Sequence, residues 1–148
     1  MSQLRRILFA SDFSKASGKA FTTAVALAKA NGAVLTILHV VVPFTPIVPE
    51  QYINTATWEA IDKQARQWSH RQLGTLTKRA KKAGVRVAPL LLDGDPAQQI
   101  VRVARAKRAD LLVVGTHGRT GLTKFFVGSI AGRVVATASC PVVTVRGA

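Results

Sequence analysis

Acidic residues are scarce in this chain. Seven Asp and Glu stand against 21 Lys and Arg, a formal net charge of +14 over 148 residues. A field of that sign attracts polyanions without choosing among them, so nucleic acid, an anionic membrane surface and a nucleoside triphosphate all stay open. Cysteine is almost missing. Cys140 is the only one, which excludes an intrachain disulfide and agrees with a reducing, cytoplasmic setting. Placed between Ser139 and Pro141 at the start of an apolar run, it reads as an inert buried thiol. Long hydrophobic runs are also absent. The apolar stretches are about four to eight residues, well short of the ~20 that cross a bilayer. The opening RRILFA passes directly into Ser11 and Asp12, too short an apolar stretch for a secretory signal. Membrane insertion and export are not expected.

Familiar site signatures are lacking as well. There is no G-x-G-x-x-G of the dinucleotide type and no G-x-x-x-x-G-K-[ST] of the Walker type. His39, His70 and His117 are too scattered for a zinc site. No cysteine, serine–acid pair or second histidine near His117 completes a catalytic triad. Zinc-finger spacing, an aromatic RNA-binding strand and a heptad zipper are all missing.

What is present is a regular alternation. RRILFA reads as a strand and residues 17–30 as a helix with Ala20, Val25 and Ala28 inward, stopped by Asn31 and Gly32. AVLTILHVV, at 33–41, is the next strand, rich in β-branched residues. Three prolines then argue against regular structure up to about Tyr52. A long helix over 55–83 places Ile61, Ala65, Trp68, Leu76 and Ala80 near one face. VRVAPLLLDG is a strand, 96–108 a helix begun by Pro96, and ADLLVVGT a strand. SIAGRVVATA is a helix capped by Ser129, and CPVVTVR the last strand. Apolar strands each separated by a helix predict a single α/β domain over 1–148, with a doubly wound five-stranded parallel sheet and helices on both faces.

Ligands of such sheets bind at the carboxyl ends of the strands, where the winding reverses. Asp12 falls there, either to meet a ribose or a cation or to brace its own turn with Ser14. The loop VVGTHGRTGLTKFFVGS falls there too. Its glycines let backbone N–H groups converge on an anion, Ser129 offers a hydroxyl, and Arg119 or Lys124 adds charge; a plain turn with a capped helix is the alternative. His39 reads as a structural or pocket-edge residue. The cations of the long helix and of Arg102 to Arg108 fall between apolar positions, so a solvated face is their default reading. Trp68 reads as core, and Trp58 as a cover for a pocket or an interface.

Three blocks carry a resemblance over nearly the full length: ILFASDFS, LLDGDPAQQIVRVARAKRADLLVVGTHGRTGL and FFVGSIAGRVVATASCPVVTVR. They resemble the universal stress protein family, in its ATP-binding branch. The family's G-x2-G-x9-G-[ST] is matched by Gly115, Gly118, Gly128 and Ser129. The resemblance implies the sheet order 3-2-1-4-5 of the adenine-nucleotide alpha hydrolase-like fold. It implies ATP and Mg²⁺ as ligands. Asp12 would meet ribose or, through Mg²⁺, phosphate; Val40 or Val41 would meet adenine through backbone atoms; and Gly94 would allow close passage by base or ribose. Gly115, Gly118, Gly128 and Ser129 would cradle phosphates, with Arg119 as helper. It also implies a homodimer through the last strand and a cytoplasmic stress-response or signalling module with slow or no ATP hydrolysis. The net charge exceeds what the resemblance implies. A nucleic-acid or polyanion-binding protein with a vestigial nucleotide site is therefore the alternative.

Overall fold

The chain is described from a computed structural model over residues 3–43, 50–116 and 128–147. Five strands form the sheet: β1 (Arg6–Ala10), β2 (Val34–Val41), β3 (Arg86–Asp93), β4 (Leu111–Gly115) and β5 (Val142–Val145). All pair in parallel, in the order β3-β2-β1-β4-β5. Four helices connect them: α1 (Ser17–Asn31), α2 (Thr55–Lys82), α3 (Pro96–Ala106) and α4 (Ser129–Thr137). The expected topology is the observed one.

Alternation within the central strands explains their unbroken apolar sequences. Ile7 and Phe9 of β1, Leu35 and Ile37 of β2, and Leu111 and Val113 of β4 point to the layer of α1 and α2. Leu8, Leu38, Val40, Leu112 and Val114 point the other way, to α3 and α4. Both faces are covered, so apolar residues dominate these strands, and the polar Thr36 and His39 of β2 are buried with them. α1 lies close on the sheet because it offers Ala20, Ala24 and Ala28, with Phe21 filling the space beside Phe9 at 5.8 Å between ring centroids. It ends where Gly32 turns left-handed, at φ 64°, and returns its N–H to the carbonyls of Ala28 and Lys29. Asn54 caps α2 by accepting from the Ala56 N–H at 2.8 Å, and Asp95 caps α3 by accepting from the Gln98 N–H at 2.9 Å.

Several expectations are corrected. The buried residues of α2 are Ser69, Leu73, Thr77 and Ala80, all in its second half. Ala65 is exposed, Ile61 is 40% exposed and Trp68 37%, so the first half has no sheet beneath it to receive an apolar stripe. Val25 is only partly buried. β3 is half-exposed, because it is an edge strand. α3 stops at Ala106, and Arg108 takes a left-handed φ of 52°. Cys140 is half-buried rather than buried; removal from water still pushes its thiol pKa up, in keeping with low reactivity. Among the described residues no helix is long and apolar enough to cross a membrane.

The start of β1 is fixed by a carboxylate. One oxygen of Asp110 accepts the N–H groups of Arg5 at 2.9 Å and Arg6 at 2.8 Å. Those two bonds hold its pKa below the usual carboxylate value. A depressed pKa means stability that is complete above the ordinary carboxylate range, near 3.9, and lost as pH falls through the lower folded value. We therefore predict that Asp110→Ala lowers the melting temperature at pH 7, and that the gap from wild type closes as the pH is brought down to 3. A gap that is constant across a pH series of thermal melts would show that the carboxylate's charge is immaterial.

Candidate functional site

The winding reverses between β1 and β4, since β1 sends its helix to one face and β4 to the other. At the carboxyl ends of these strands lies a cavity of about 520 Å³, within the ~300–1,000 Å³ typical of small-molecule sites. Its floor is the strand ends: Ala10, Ser11 and Asp12 after β1, Leu38 to Val42 of β2, and Val114, Gly115 and Thr116 at β4. One wall is the start of α4, from Gly128 to Ala131, beside Pro96 and Ile100 of α3. The opposite wall is Ala65, Trp68 and Ser69 of α2.

The turn after β1 is built by its own short side chains. The Ser14 N–H donates to Asp12 Oδ1 at 2.9 Å, and the Phe13 N–H to Ser11 Oγ at 3.0 Å. The Ser17 hydroxyl donates to the Ser14 carbonyl at 2.8 Å. Asp12 thus braces its turn and also borders the cavity; the two readings of it are compatible. Phe13 is driven to φ 62°, a costly conformation for an aromatic residue. Its ring stacks on His39 at 4.1 Å and meets Trp68 edge-on at 5.6 Å. His39 is buried and donates from Nδ1 to the Ser11 carbonyl at 2.7 Å. That bond fixes its tautomer and joins β2 to the turn. Trp68 is part of this aromatic group at the cavity wall, not of the core.

Gly128 occupies the N-cap position of α4, and Ser129 is the first helical residue rather than the cap. Gly128 donates its N–H to the Thr116 carbonyl, which sets the end of β4 against the start of the helix. The first intrahelical bond runs from the Gly132 N–H to the Gly128 carbonyl at 2.9 Å. The N–H groups of Ser129, Ile130 and Ala131 therefore have no acceptor within the helix, and its dipole favours an anion there. Among the described residues that line the cavity there is no Lys or Arg. Gly118, Arg119, His117, Gly121 and Lys124 lie outside the described residues.

The other predicted residues are distributed unevenly. Val40, Val41, Gly115, Gly128 and Ser129 border the cavity. Gly94 is not among its lining residues. It has φ 126° and donates its N–H to the Val41 carbonyl at 3.1 Å, so it ties the end of β3 to the end of β2. Ser11, Thr116 and Ile130 line the cavity without having been singled out; each is adjacent to a residue that was. Phe13 and His39 also adjoin predicted residues, Asp12 and Val40, but nothing in the sequence joins them to each other or to Trp68, which lies far from both. Among the described residues no three of His, Cys, Asp or Glu gather as a metal site.

Three ion pairs, made by two arginines, hold the walls. Arg133 of α4 makes a two-pronged contact with Asp95, the cap of α3, at 3.1 and 3.0 Å. That contact and the Gln98 N–H lower the Asp95 pKa. Arg66 of α2 reaches Asp93 of β3 at 2.7 Å and Asp62 of its own helix at 3.0 Å. Beside it a smaller pocket of about 180 Å³ is lined by Val41, Pro43, Trp58, Asp62, Arg66 and Asp93.

Comparison with known proteins gives a consistent picture. The pattern of the Universal stress protein family matches residues 3–146. A universal stress protein of Methanocaldococcus jannaschii, MJ0531, is 35% identical over 144 residues, covering 96% of this chain and 82% of that protein. The structure of the hypothetical protein MJ0577 superposes with a TM-score of 0.82 at 22% identity, covering 97% of this chain and 96% of that one. A universal stress protein crystallised in complex with cAMP superposes at 0.74 with 24% identity, covering 98% of each chain. These two likenesses concern the fold.

The first half of α2 contributes a cavity wall but buries none of its residues, and Arg66 ties it to the sheet edge through Asp93. We predict that Arg66→Ala raises amide hydrogen exchange over residues 55–68 by about two- to fivefold, the range set by exposed ion pairs. Exchange over 69–82 should stay unchanged. Equal protection of 55–68 in both proteins would contradict this role.

Proposed function

Because the chain belongs to the universal stress protein family, we propose that its cavity binds an adenine nucleotide and that the protein acts as a nucleotide-responsive binding module. The carrying observation is the meeting of Asp12, Thr116 and the first N–H groups of α4 around one cavity at the winding reversal. That is where an anion finds both a helix dipole and donors. The complex of a fold relative with cAMP supports an adenine-containing ligand. The spaced set Gly115, Gly118, Gly128 and Ser129 supports a phosphate-bearing one.

In this reading the triphosphate of ATP lies toward Gly128 and Ser129, and the base toward Val40 and Val41. The Val41 carbonyl already accepts the Gly94 N–H, so Gly94 shapes the base end by holding β3 against β2. Asp12 is the carboxylate that would hold Mg²⁺ together with phosphate oxygens. Magnesium ordinarily takes only one or two protein carboxylates beside phosphates and water, so a lone aspartate at this position suits it. Arg119, outside the described residues, is the helper that the family resemblance assigns to the phosphates. No neighbouring base to activate water was found in the sequence, so binding and signalling in a stress response is favoured over fast turnover. β5 is an edge of the sheet, and a second copy pairing there would make the homodimer.

Ser129→Asp separates binding from folding. An acid in the first turn of a helix is favourable to the helix but sets a like charge against a bound phosphate. Two unit charges 4 Å apart repel by about 4 kcal/mol at an effective dielectric of 20, so a loss of tenfold or more in ATP affinity is expected with no fall in melting temperature. Unchanged affinity in titration calorimetry would remove Ser129 from the phosphate site.

A further inference from the structure

At the opposite end of the sheet the chain concentrates positive charge. Parallel strands joined by helices bring every helix C-terminus to the amino ends of the strands. α1 ends just before β2, α2 just before β3, and α3 just before β4. Arg6, Val34 and Arg86 stand in one row across β1, β2 and β3. Around that row are Arg5, Lys29, Lys81, Lys82, Arg105, Lys107 and Arg108, all exposed, as are Arg6 and Arg86. β2, at about 3.3 Å per residue, puts roughly 25 Å between this end and the cavity.

Part of this charge has a structural use, since cations in a last turn complement the helix dipole. That use does not account for all of it. Four helix C-termini at about half a charge each, with Asp110, offset about three of these nine cations. Asp110 moreover spends its acceptor on the backbone of Arg5 and Arg6 rather than on their guanidinium groups. Arg108 is the second sign. It stands in a left-handed conformation, φ 52°, directly after α3, where glycine or asparagine is the usual residue. An arginine thus stands at a position whose backbone disfavours it.

We propose that this end is a docking surface for the phosphodiester backbone of a nucleic acid, independent of nucleotide binding at the cavity. Arginine forks and lysine ammonium groups spread over one end suit successive phosphates. An anionic membrane is disfavoured, because among the described residues the large exposed apolar ones (Val42, Tyr52, Ile61, Trp68, Ile130 and Val135) belong to other parts of the fold. Stable membrane association ordinarily combines charge with an inserted apolar face.

The test is fluorescence anisotropy of the full chain with a labelled 20-nucleotide single-stranded RNA over a salt series. Binding is expected at low salt, with a slope of log affinity against log salt of about −3 to −5, the value for roughly five to seven phosphates. Lys81→Ala/Lys82→Ala/Lys107→Ala/Arg108→Gly should lose at least tenfold in affinity. A control of equal charge, Lys15→Ala/Lys19→Ala/Lys63→Ala/Arg71→Ala, should lose less than threefold. Arg108→Gly alone should weaken binding two- to threefold while its melting temperature is no lower than wild type, which guards against misfolding. ATP affinity should be unchanged in the first variant, so failure here is distinguishable from failure at the cavity. Absence of RNA binding at 50 mM salt would overturn the proposal. So would equal losses in both fourfold variants, or tighter binding to phosphatidylserine vesicles than to RNA at equal phosphate.

Discussion

The parallel pairing of β1 with β2 on one side and β4 on the other is the constraint on which the rest depends. A parallel ladder forces each connection to cross the full length of the sheet, so each helix runs antiparallel to its strands. All carboxyl ends of strands and all helix N-termini therefore gather at one end, and all helix C-termini at the other. Electrical asymmetry follows without any choice of side chains. One end presents N–H donors from α3 and α4, and the other presents carbonyls that draw in lysine and arginine. The reversal of winding at β1 and β4 then opens a gap only at the donor end, and that gap is the cavity.

The few acids are used where they fix geometry. Asp12 holds the turn that leads into α1, and Asp95 caps α3 while gripping Arg133 of α4. Asp62 and Asp93 share Arg66, and Asp110 anchors the start of β1. Exposed pairs of this kind contribute little to global stability; their effect is to place the cavity walls. Every aspartate has a local hydrogen-bond partner, and the chain keeps a formal excess of +14.

Much of the fold was legible because it rests on local signals. Unbroken apolar runs identified the doubly covered strands, and Asn31–Gly32 and Pro96 marked helix ends with chemistry that the backbone then used. The face of α2 was not legible. Ile61, Ala65 and Trp68 have helical spacing, but spacing reports a stripe and not whether a sheet lies under it, and here β3 ends the sheet. For the site, Asp12, Val40, Val41, Gly115, Gly128 and Ser129 converge on one cavity because strand ends converge in this topology. Gly94 stands apart from its lining, and the role of cap belongs to Gly128 rather than Ser129. The Phe13–His39–Trp68 group escaped notice because its members meet only through tertiary packing, and Phe13 needs a backbone conformation that no local signal announces.

The central claim is that nucleotide engages the donor end of the sheet. Its most direct test is a heteronuclear NMR titration of the ¹⁵N-labelled protein with ATP and Mg²⁺. The account predicts saturable shifts of the backbone amides of Ser11, Asp12, Thr116, Gly128, Ser129 and Ile130, with Arg6, Arg86 and Arg108 unmoved. Shifts confined to the arginine-bearing end, or none at millimolar nucleotide, would contradict it.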